Sequence, residues 1–450
     1  MDLTSEQRDL RDAVRALLER HPVRPASDAP HTPAPRSDGP STHGPSTDAP
    51  TSDGPSTHGP GDGRGYEPRL WRRLCGEIGV AGLAIPERYG GAGAGPVETH
   101  IVMEELGRCL VPAPMLGSAV LAAQALLASG DAAACERLLP GIAAGTTIAA
   151  LAWTGADGRW DPEQAAYDAR PAPPSGSPLP SADSPPPSAD SAPPSPGSRP
   201  PSADSPRPPA GSTPPTSADP PPHISPSGGW ALTGEAHYVL DGDTAGVLLA
   251  AARTPDGVAL FEVDPDSPGV TRRAVMAMDT TRRLAVVTLD GAAGRPIGHG
   301  ARGLARARDL ACIALSAEQS GAAQRALELT VAYTKTRVQF GRPIGSFQAL
   351  QHRMADLHVL VESARSLSYA AAAAAAADAP GLGTRAAAAK AHSSEALART
   401  AAEMIQMHGA IGITWEHDAH RYFKRAHGSA LLLGRTEDHV ARVAAALIDT

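Results

Sequence analysis

Arg337-Val338-Gln339-Phe340-Gly341-Arg342-Pro343-Ile344 is the stretch of this 450-residue sequence that says most about its fold. It is followed closely by Phe347-Gln348-Ala349-Leu350-Gln351 and by Met354-Ala355-Asp356. The Gly-Arg-Pro segment indicates a turn, and apolar residues at helical spacing predict helices on either side, over about 304–336 and 347–378. A basic corner between two long helices is therefore expected here.

Helical periodicity continues on both sides of this corner. Downstream, further helices are predicted over about 383–408 and 435–448, and four such helices suit a bundle. Near the amino terminus, Thr4-Ser5-Glu6-Gln7 is a capping-box pattern that begins a helix. Two more amphipathic helices are predicted over 66–78 and 100–109.

The middle of the chain changes to short apolar runs separated by turn residues. The clearest of these runs are 148–153, 246–251, 258–263 and 284–289. They predict a small antiparallel sheet or barrel. The chain thus has helices first, then strands, then helices again. A doubly wound parallel sheet alternates strands and helices, so a Rossmann fold is not expected.

Two segments are predicted to be disordered. The chain contains 45 Pro and 45 Gly, and the excess marks two stretches, 22–65 and 170–227. The first repeats Asp-Gly-Pro-Ser-Thr-His-Gly-Pro, and the second is rich in Pro and Ser. Neither offers the apolar side chains needed to offset the entropy of ordering. We interpret them as insertions; ligands for a proline-binding module are the alternative.

The overall charge argues against nucleic-acid binding. A net charge of -8, a pI of about 6.1 and an aromatic content of 4% provide neither a basic surface nor stacking platforms. The amino terminus is polar and acidic, unlike a signal peptide. The Ala-rich run 370–377 is too short to span a bilayer. A cytoplasmic protein without a membrane span is therefore expected.

Cysteine and histidine spacing predicts no metal site. The four cysteines lack C-x-x-C spacing, which favours buried apolar packing in a reducing cytosol for Cys75, Cys109, Cys135 and Cys312. His417 and His420 are spaced i, i+3, but no matching ligand set accompanies them. The glycine cluster at 90–93 has no preceding β-run and no following Gly-Lys-Ser/Thr, so a plain turn is preferred to a phosphate loop.

The order of elements and the corner motif resemble the acyl-CoA dehydrogenase family. That family carries an R-x-x-F-G-x-x-I…Q-x-x-Q-x-x-x-A-D pattern, which is matched here from Arg337 to Asp356. The resemblance covers nearly all of the chain outside the two insertions. It implies an α+β fold: an N-terminal α-helical domain over 1–145, a middle β-barrel domain over 146–300 and a C-terminal four-helix bundle over 301–450.

The resemblance implies FAD as the cofactor. In the family, the Arg and the Gln of this corner contact the FAD of a neighbouring subunit, and they are Arg337 and Gln348 here. Gln339 and Phe340 belong to the same motif and are included in the expected site. An Arg fork suits pyrophosphate oxygens, and a Gln amide both donates and accepts near the adenosine half.

Three further segments extend the implied FAD site. The sequence from Gln406 to Gly412 is similar to the family's Q-x-x-G-G-x-G loop, in which small residues let backbone approach pyrophosphate, although Ala410 replaces one glycine. Thr154 lies where the family has T-E-P-x-x-G-S-D, and Tyr238 replaces the Trp of W-I-[TS] over the flavin. The additional expected contacts are Gln406, Gly409, Gly412, Thr154 and Tyr238.

The family's catalytic base is missing from its usual places. Most members use a Glu before a Gly-Thr pair, and a minority use a Glu one helix earlier; these positions are Leu433 and Ala311 here. Asp309 is close to the second position but is rotated by roughly 200° around the helix. Glu318 and Glu416 are the other nearby carboxylates. The catalytic residue is therefore unknown from the sequence.

Two functions remain open. The first is FAD-dependent α,β-dehydrogenation of an acyl-CoA thioester, with electrons passed to an electron-transfer flavoprotein and a relocated base. The second is a non-catalytic partner subunit of a heteromeric acyl-CoA dehydrogenase. The segment after Gly412 resembles an actinobacterial branch that includes such heteromers, so a homo- or hetero-oligomer, a dimer or tetramer with a related subunit, is expected. A helical scaffold without flavin is a third interpretation.

Overall fold

The computed structural model describes residues 3–21, 66–172 and 229–448. The predicted insertions at 22–65 and 170–227 lie outside these residues, except for 170–172. The second boundary was wrong by a few residues, because Arg170 and Pro171 pair with Ala231 and Trp230 and complete a strand.

The chain begins with helices. They are α1 (Ser5–Arg20), α2 (Pro68–Arg73), α3 (Pro96–Arg108), α4 (Ala123–Ser129) and α5 (Ala132–Ala143). The predicted capping box is confirmed: Thr4 Oγ1 accepts from the Gln7 amide at 3.2 Å, and Gln7 Oε1 accepts from the Thr4 amide at 3.1 Å. Two π-helical segments, Leu74–Ile78 and Met115–Ala122, extend this part.

Seven strands follow. They are β1 (Ala149–Ala152), β2 (Tyr167–Pro171), β3 (Trp230–Leu240), β4 (Val247–Thr254), β5 (Gly257–Val263), β6 (Val270–Val275) and β7 (Leu284–His299). Pairing in the order β4-β2-β3-β7-β5 and back to β4 closes a barrel, with β1 beside β4 and β6 beside β7. The predicted β-rich middle region is confirmed and closes as a barrel, but it is not antiparallel throughout, because β4 pairs in parallel with β1 and β2.

The last part is helical again. Its elements are α6 (Ala301–Thr336), β8 (Val338–Gln339), β9 (Arg342–Pro343), α7 (Gln348–Ala376), α8 (Leu382–His408), α9 (Ala419–Leu431) and α10 (Thr436–Ile448). The fifth long helix, α9, was not predicted, because its buried face carries polar residues, among them Arg421 and Arg425, instead of an apolar stripe.

The cysteines are all free thiols. Cys75, Cys135 and Cys312 are buried, as expected. Cys109 is exposed, and the prediction for it was wrong because it follows the last residue of α3 and lies outside the packed helix.

The helices α3 and α6 cross with their backbones in contact. A Cβ atom added at Gly107 would lie 2.0 Å from the Glu318 carbonyl oxygen, and one added at Gly321 would lie 2.0 Å from the Glu104 carbonyl oxygen. Glycine is therefore required on each helix at this crossing.

Gly321→Ala is expected to destabilise the fold by about 3 kcal/mol, because its methyl group would push α3 and α6 apart. Gly76→Ala is the control, since a Cβ there meets no atom within 4 Å and helix propensity favours Ala by about 0.5–1 kcal/mol. Urea unfolding of both variants measures the difference. Equal unfolding free energies would contradict the close crossing.

Candidate functional site

The corner of the opening motif lies between α6 and α7. Arg337 directly follows the last residue of α6, and its carbonyl accepts from the Ile344 amide at 2.8 Å, which closes the β8–β9 turn. Phe340 has a φ of +54° and is followed by Gly341 at +75°. This left-handed turn presents the Phe340 ring to solvent with 93% exposure.

The polar side chains at this corner have unused donors. Arg337, Gln348 and Gln406 are exposed, and within the described residues their side chains make no hydrogen bond or ion pair. Gln339 differs, because its Nε2 donates to the Val338 carbonyl at 2.8 Å. The exposed guanidinium and amides are free to bind an anionic or polar ligand.

The end of α8 lies against the end of α6. The Tyr333 and His408 rings stack at 4.2 Å, and His408 contacts the His417 ring at 4.2 Å. Gly409 follows with φ +63° and ψ -142°, a combination that favours glycine. The structure thus brings the loop from Gly409 to Gly412 and the Arg337 corner to one end of the bundle.

The start of α7 joins the same end. Thr334 Oγ1 contacts Met354 Sδ at 3.5 Å, and a Cβ added at Gly345 would lie 3.0 Å from the Thr334 carbonyl oxygen. Gln348, at the first turn of α7, is therefore close to the last turn of α6.

Thr154 and Tyr238 form a second group, on the barrel. The His237 amide donates to the Thr154 carbonyl at 2.8 Å, and Tyr238 Oη donates to the Ala156 carbonyl at 3.4 Å. The Tyr238 ring is 41% exposed. However, the Thr154 hydroxyl is buried and donates to the Arg159 carbonyl at 2.5 Å, so its hydrogen is already used within the chain.

The two groups make no direct contact within the described part of one chain. No hydrogen bond or ring contact within 3–21, 66–172 and 229–448 joins the barrel pair to the corner residues. A ligand that touches both groups would have to bridge them along one chain or meet them on two different chains.

The corner residues suit FAD well, and the barrel residues suit it less well. The corner supplies an exposed guanidinium, two exposed amides and a glycine at Gly409 where an added Cβ would meet no atom within 4 Å. The barrel supplies the exposed Tyr238 ring. Leu240, two residues later, is buried and has no hydroxyl to offer a flavin ring.

The two expected base positions contain no carboxylate. Ala311 and Leu433 are 0% and 1% exposed and belong to one hydrophobic core. Asp309 is ion-paired with Arg308 and Arg442. Neither core position can accept a proton.

The backbone at Leu433 is nevertheless held firmly. Leu433 has a φ of +62°. The buried Lys390 donates to the Ala430 and Gly434 carbonyls, each at 2.7 Å, and burial lowers the pKa of Lys390 to about 8. His439 Nε2 lies 3.1 Å from the Leu433 carbonyl.

The remaining carboxylates differ in their surroundings. Glu416 is exposed. Glu318 is buried and paired with two arginines, Arg282 and Arg425, the second at 3.2 Å. Arg425 is also paired with buried Asp279 at 3.6 Å. Ion pairing from two sides holds Glu318 as a structural anion.

Asp241 is the functional candidate that sequence reasoning missed. It lines a cavity of about 20 Å³ together with Leu240, Gly117, Arg282 and Glu318. Its φ is +55°, and burial raises its pKa to about 7. No hydrogen bond to its carboxyl group occurs within the described residues. In the sequence, Asp241 and Gly242 are an Asp-Gly pair, which is typical of a turn and gives no sign of a buried carboxyl group. A larger cavity, of about 330 Å³, lies away from these residues, between the 84–96 segment and α6.

Asp241→Asn is expected to stabilise the fold at neutral pH. The raised pKa means that between about pH 4 and 7 the folded chain keeps a proton that the unfolded chain loses, so wild-type stability falls as pH rises through that window. The Asn variant lacks this loss, and Asn tolerates the left-handed backbone.

Urea unfolding at pH 4, 6 and 8 measures the effect. The two proteins should have similar stability at pH 4, and the variant should gain on the order of 3 kcal/mol by pH 8. A difference that does not change with pH would contradict the assignment.

Metal-binding clusters and membrane-spanning helices are both absent from the part of the chain that the structure describes. No group of three or more His, Cys, Asp or Glu side chains there could hold a metal ion. Nor is any helix in those ranges long and apolar enough to cross a membrane.

Sequence families match both helical parts. The family described as acyl-CoA dehydrogenase, C-terminal domain, matches residues 298–448, and the family described as acyl-CoA dehydrogenase, N-terminal domain, matches residues 61–146.

Named relatives match most of the chain. It is 37% identical over 381 residues to acyl-CoA dehydrogenase IpdE2 of Mycolicibacterium smegmatis, covering 85% of this chain and 88% of that protein. It is 38% identical over 383 residues to IpdE2 of Mycobacterium tuberculosis, covering 84% and 87%.

A solved structure matches along the full length. A chain of the ChsE4-ChsE5 complex from Mycobacterium tuberculosis is similar with a TM-score of 0.74 and 25% identity, covering 100% of both chains. A variant of the Tcur3481-Tcur3483 steroid ACAD is similar with a TM-score of 0.71 and 26% identity, covering 99% of this chain and 98% of that one.

Proposed function

The chain belongs to the acyl-CoA dehydrogenase family, and from this premise we propose that it is a FAD-binding subunit in α,β-dehydrogenation of an acyl-CoA thioester. A related subunit supplies the carboxylate base, and electrons pass to an electron-transfer flavoprotein. One contrast carries the proposal. Ala311 and Leu433, the two expected base positions, are buried apolar residues, whereas Arg337, Gln348 and Gln406, here called the cofactor corner, are exposed.

The corner residues bind and orient the cofactor. Arg337 would place its planar fork on pyrophosphate oxygens, and Gln348 and Gln406 would bind the adenosine half. The Phe340 ring would lose its exposure to water against the cofactor or the neighbouring subunit. When bound, FAD supplies the two-electron acceptor for the β-hydrogen of the thioester.

Two arrangements support a shared site. The corner and the Thr154–Tyr238 pair make no direct contact within the described residues of one chain, which is compatible with a cofactor held between subunits. The similar ChsE4-ChsE5 structure is described as a complex of two named proteins. A heteromer is therefore the assembly to test first.

The acyl group to test first is sterol-derived, because one similar structure is described as a steroid ACAD. The α-hydrogen leaves as a proton to a carboxylate of the related subunit. This chain contributes no proton acceptor at Ala311 or Leu433, and its role there is to close the site against water.

A second candidate has one observation in its favour. Asp241 is a buried carboxyl group that lines a cavity beside Leu240, and its pKa is raised to about 7, a value that suits a general base. It would make the chain catalytic alone. The same cavity is lined by Arg282 and Glu318 and measures only about 20 Å³, which leaves little room for an acyl chain.

Flavin spectroscopy decides between the candidates. The chain is purified alone and together with a related family subunit, and flavin absorbance is followed as acyl-CoA is added. We expect bleaching only in the pair, lost when the related subunit's Glu is changed to Gln. Bleaching by this chain alone, abolished by Asp241→Asn, would establish the second candidate. A pair without flavin would overturn both.

Arg337→Lys is expected to weaken FAD retention by roughly 10- to 100-fold, because Lys keeps the charge but loses the two-pronged hydrogen bond. Arg342→Lys is the control, since Arg342 lies over the Phe347 ring at 4.0 Å within the same chain. Flavin released on gel filtration of the assembled protein measures retention. Equal loss in both variants would remove Arg337 from the site.

A further inference from the structure

Three aromatic rings from three segments meet beside the cofactor corner. Tyr333 is in the last turn of α6, His408 ends α8, and His417 lies in the loop before α9. Their centroids are 4.2 Å apart for Tyr333 and His408 and 4.2 Å apart for His408 and His417. Tyr333 Oη also donates to the His408 carbonyl at 3.4 Å. This ring stack clamps both ends of the segment from Gly409 to Thr414.

Hydrogen bonds fix the neutral form of each imidazole. His408 Nδ1 lies 2.7 Å from the Met404 carbonyl, which can only accept, so Nδ1 carries the hydrogen. His408 Nε2 is buried without a partner among the described residues. His417 Nδ1 accepts from the Ala419 amide at 3.1 Å, so that nitrogen must be unprotonated.

Adding a proton to either ring breaks this arrangement. On His408 the new N–H would be buried without an acceptor. On His417 the proton would displace the bond from Ala419, the first residue of α9. Two charged imidazoles at 4.2 Å would also repel each other.

The charged groups around the two imidazoles do little to stabilise their protonated forms. Burial lowers the pKa of His408, its bond to the Met404 carbonyl raises it, and His417 lowers it again. Burial lowers the pKa of His417, and Asp418 opposes that. Tyr333 is the remaining titratable group in the stack. Because both imidazoles are favoured neutral in the fold, their contribution to stability is present above about pH 6.5 and is lost as pH falls below it.

From this geometry we propose that His408 is a positioning residue for the cofactor corner, and that its protonation releases the Gly409–Gly412 loop and thereby the FAD. The proposal rests on the proposed function, because it assigns a means of regulation to the same site. Tyr333 lies four residues before Arg337, so the stack sets the position of the loop and of the Arg337 fork together.

His408→Phe is the main test, since Phe keeps a ring in the stack but cannot be protonated. His427→Phe is a matched control. His427 also stacks on an aromatic ring, that of Phe423 at 4.3 Å, and its Nδ1 lies 2.9 Å from the carbonyl four residues earlier. It is exposed and lies on α9, away from the loop.

The rate of FAD release from the assembled holoprotein is measured at pH 5.5 and 7.5. We expect release from wild type and from His427→Phe to be faster at pH 5.5 by up to about 10-fold, the largest effect that protonation of one site allows over this range. For His408→Phe, in which only His417 of the two imidazoles still titrates, the ratio of the two rates should fall clearly below the wild-type ratio. A wild-type pH dependence in His408→Phe would overturn the proposal.

A second variant and a second readout guard against a misfolded protein. His408→Gln keeps an amide donor for the Met404 carbonyl, does not titrate at this position, and should lower the pH dependence of FAD release in the same way. Hydrogen exchange of amides 409–417 in the cofactor-free full chain is compared among the same proteins. At pH 5.5, exchange in wild type and in His427→Phe should be faster than in His408→Gln. At pH 7.5 the three proteins should exchange alike.

The two readouts separate two kinds of failure. If the assembled wild type holds no FAD at any pH, the proposed function fails, whereas the exchange experiment still tests the clamp. If FAD is held and neither readout depends on His408, the clamp fails and the proposed function stands.

Discussion

The backbone contact between α3 and α6 is the constraint on which the rest of this structure depends. Gly107 and Gly321 let the two helices touch so closely that a single methyl group fits at neither position. Because α6 runs 36 residues, fixing its middle also fixes its far end. That end carries Tyr333 and Arg337, so the crossing determines where the cofactor corner lies relative to the N-terminal helices.

The same contact explains two buried charges. The carbonyls that meet the glycines belong to Glu104 and Glu318, and the close approach leaves both side chains in the interior. Each is then neutralised from a different element: Glu104 by Arg365 at 2.5 Å, with Tyr369 Oη donating at 2.6 Å, and Glu318 by arginines of the barrel and of α9. The ion pairs of Glu104 and Glu318 therefore connect the barrel and the C-terminal helices to the point where α3 and α6 cross.

Local pattern predicted the fold reliably where one face of an element is apolar or where turn chemistry is explicit. The capping box at Thr4 and the long helix before Arg337 are of this kind. It missed α9, whose buried Arg425 pairs with Asp279 and Glu318, which are distant in sequence, and it missed the parallel pairing of β4. The corner residues could be named from a motif, but Asp241 could not, because its burial depends on Gly117 and Arg282, which no local pattern connects to it.

Binding of one cofactor by the corner of one chain and the Thr154–Tyr238 pair of another would have a consequence for mass action. If one dinucleotide is bound by groups on two chains, the cofactor is itself part of the subunit interface. Dilution that separates the chains and dilution that strips the cofactor then become one equilibrium. Each subunit's concentration raises the apparent affinity of the other for the nucleotide.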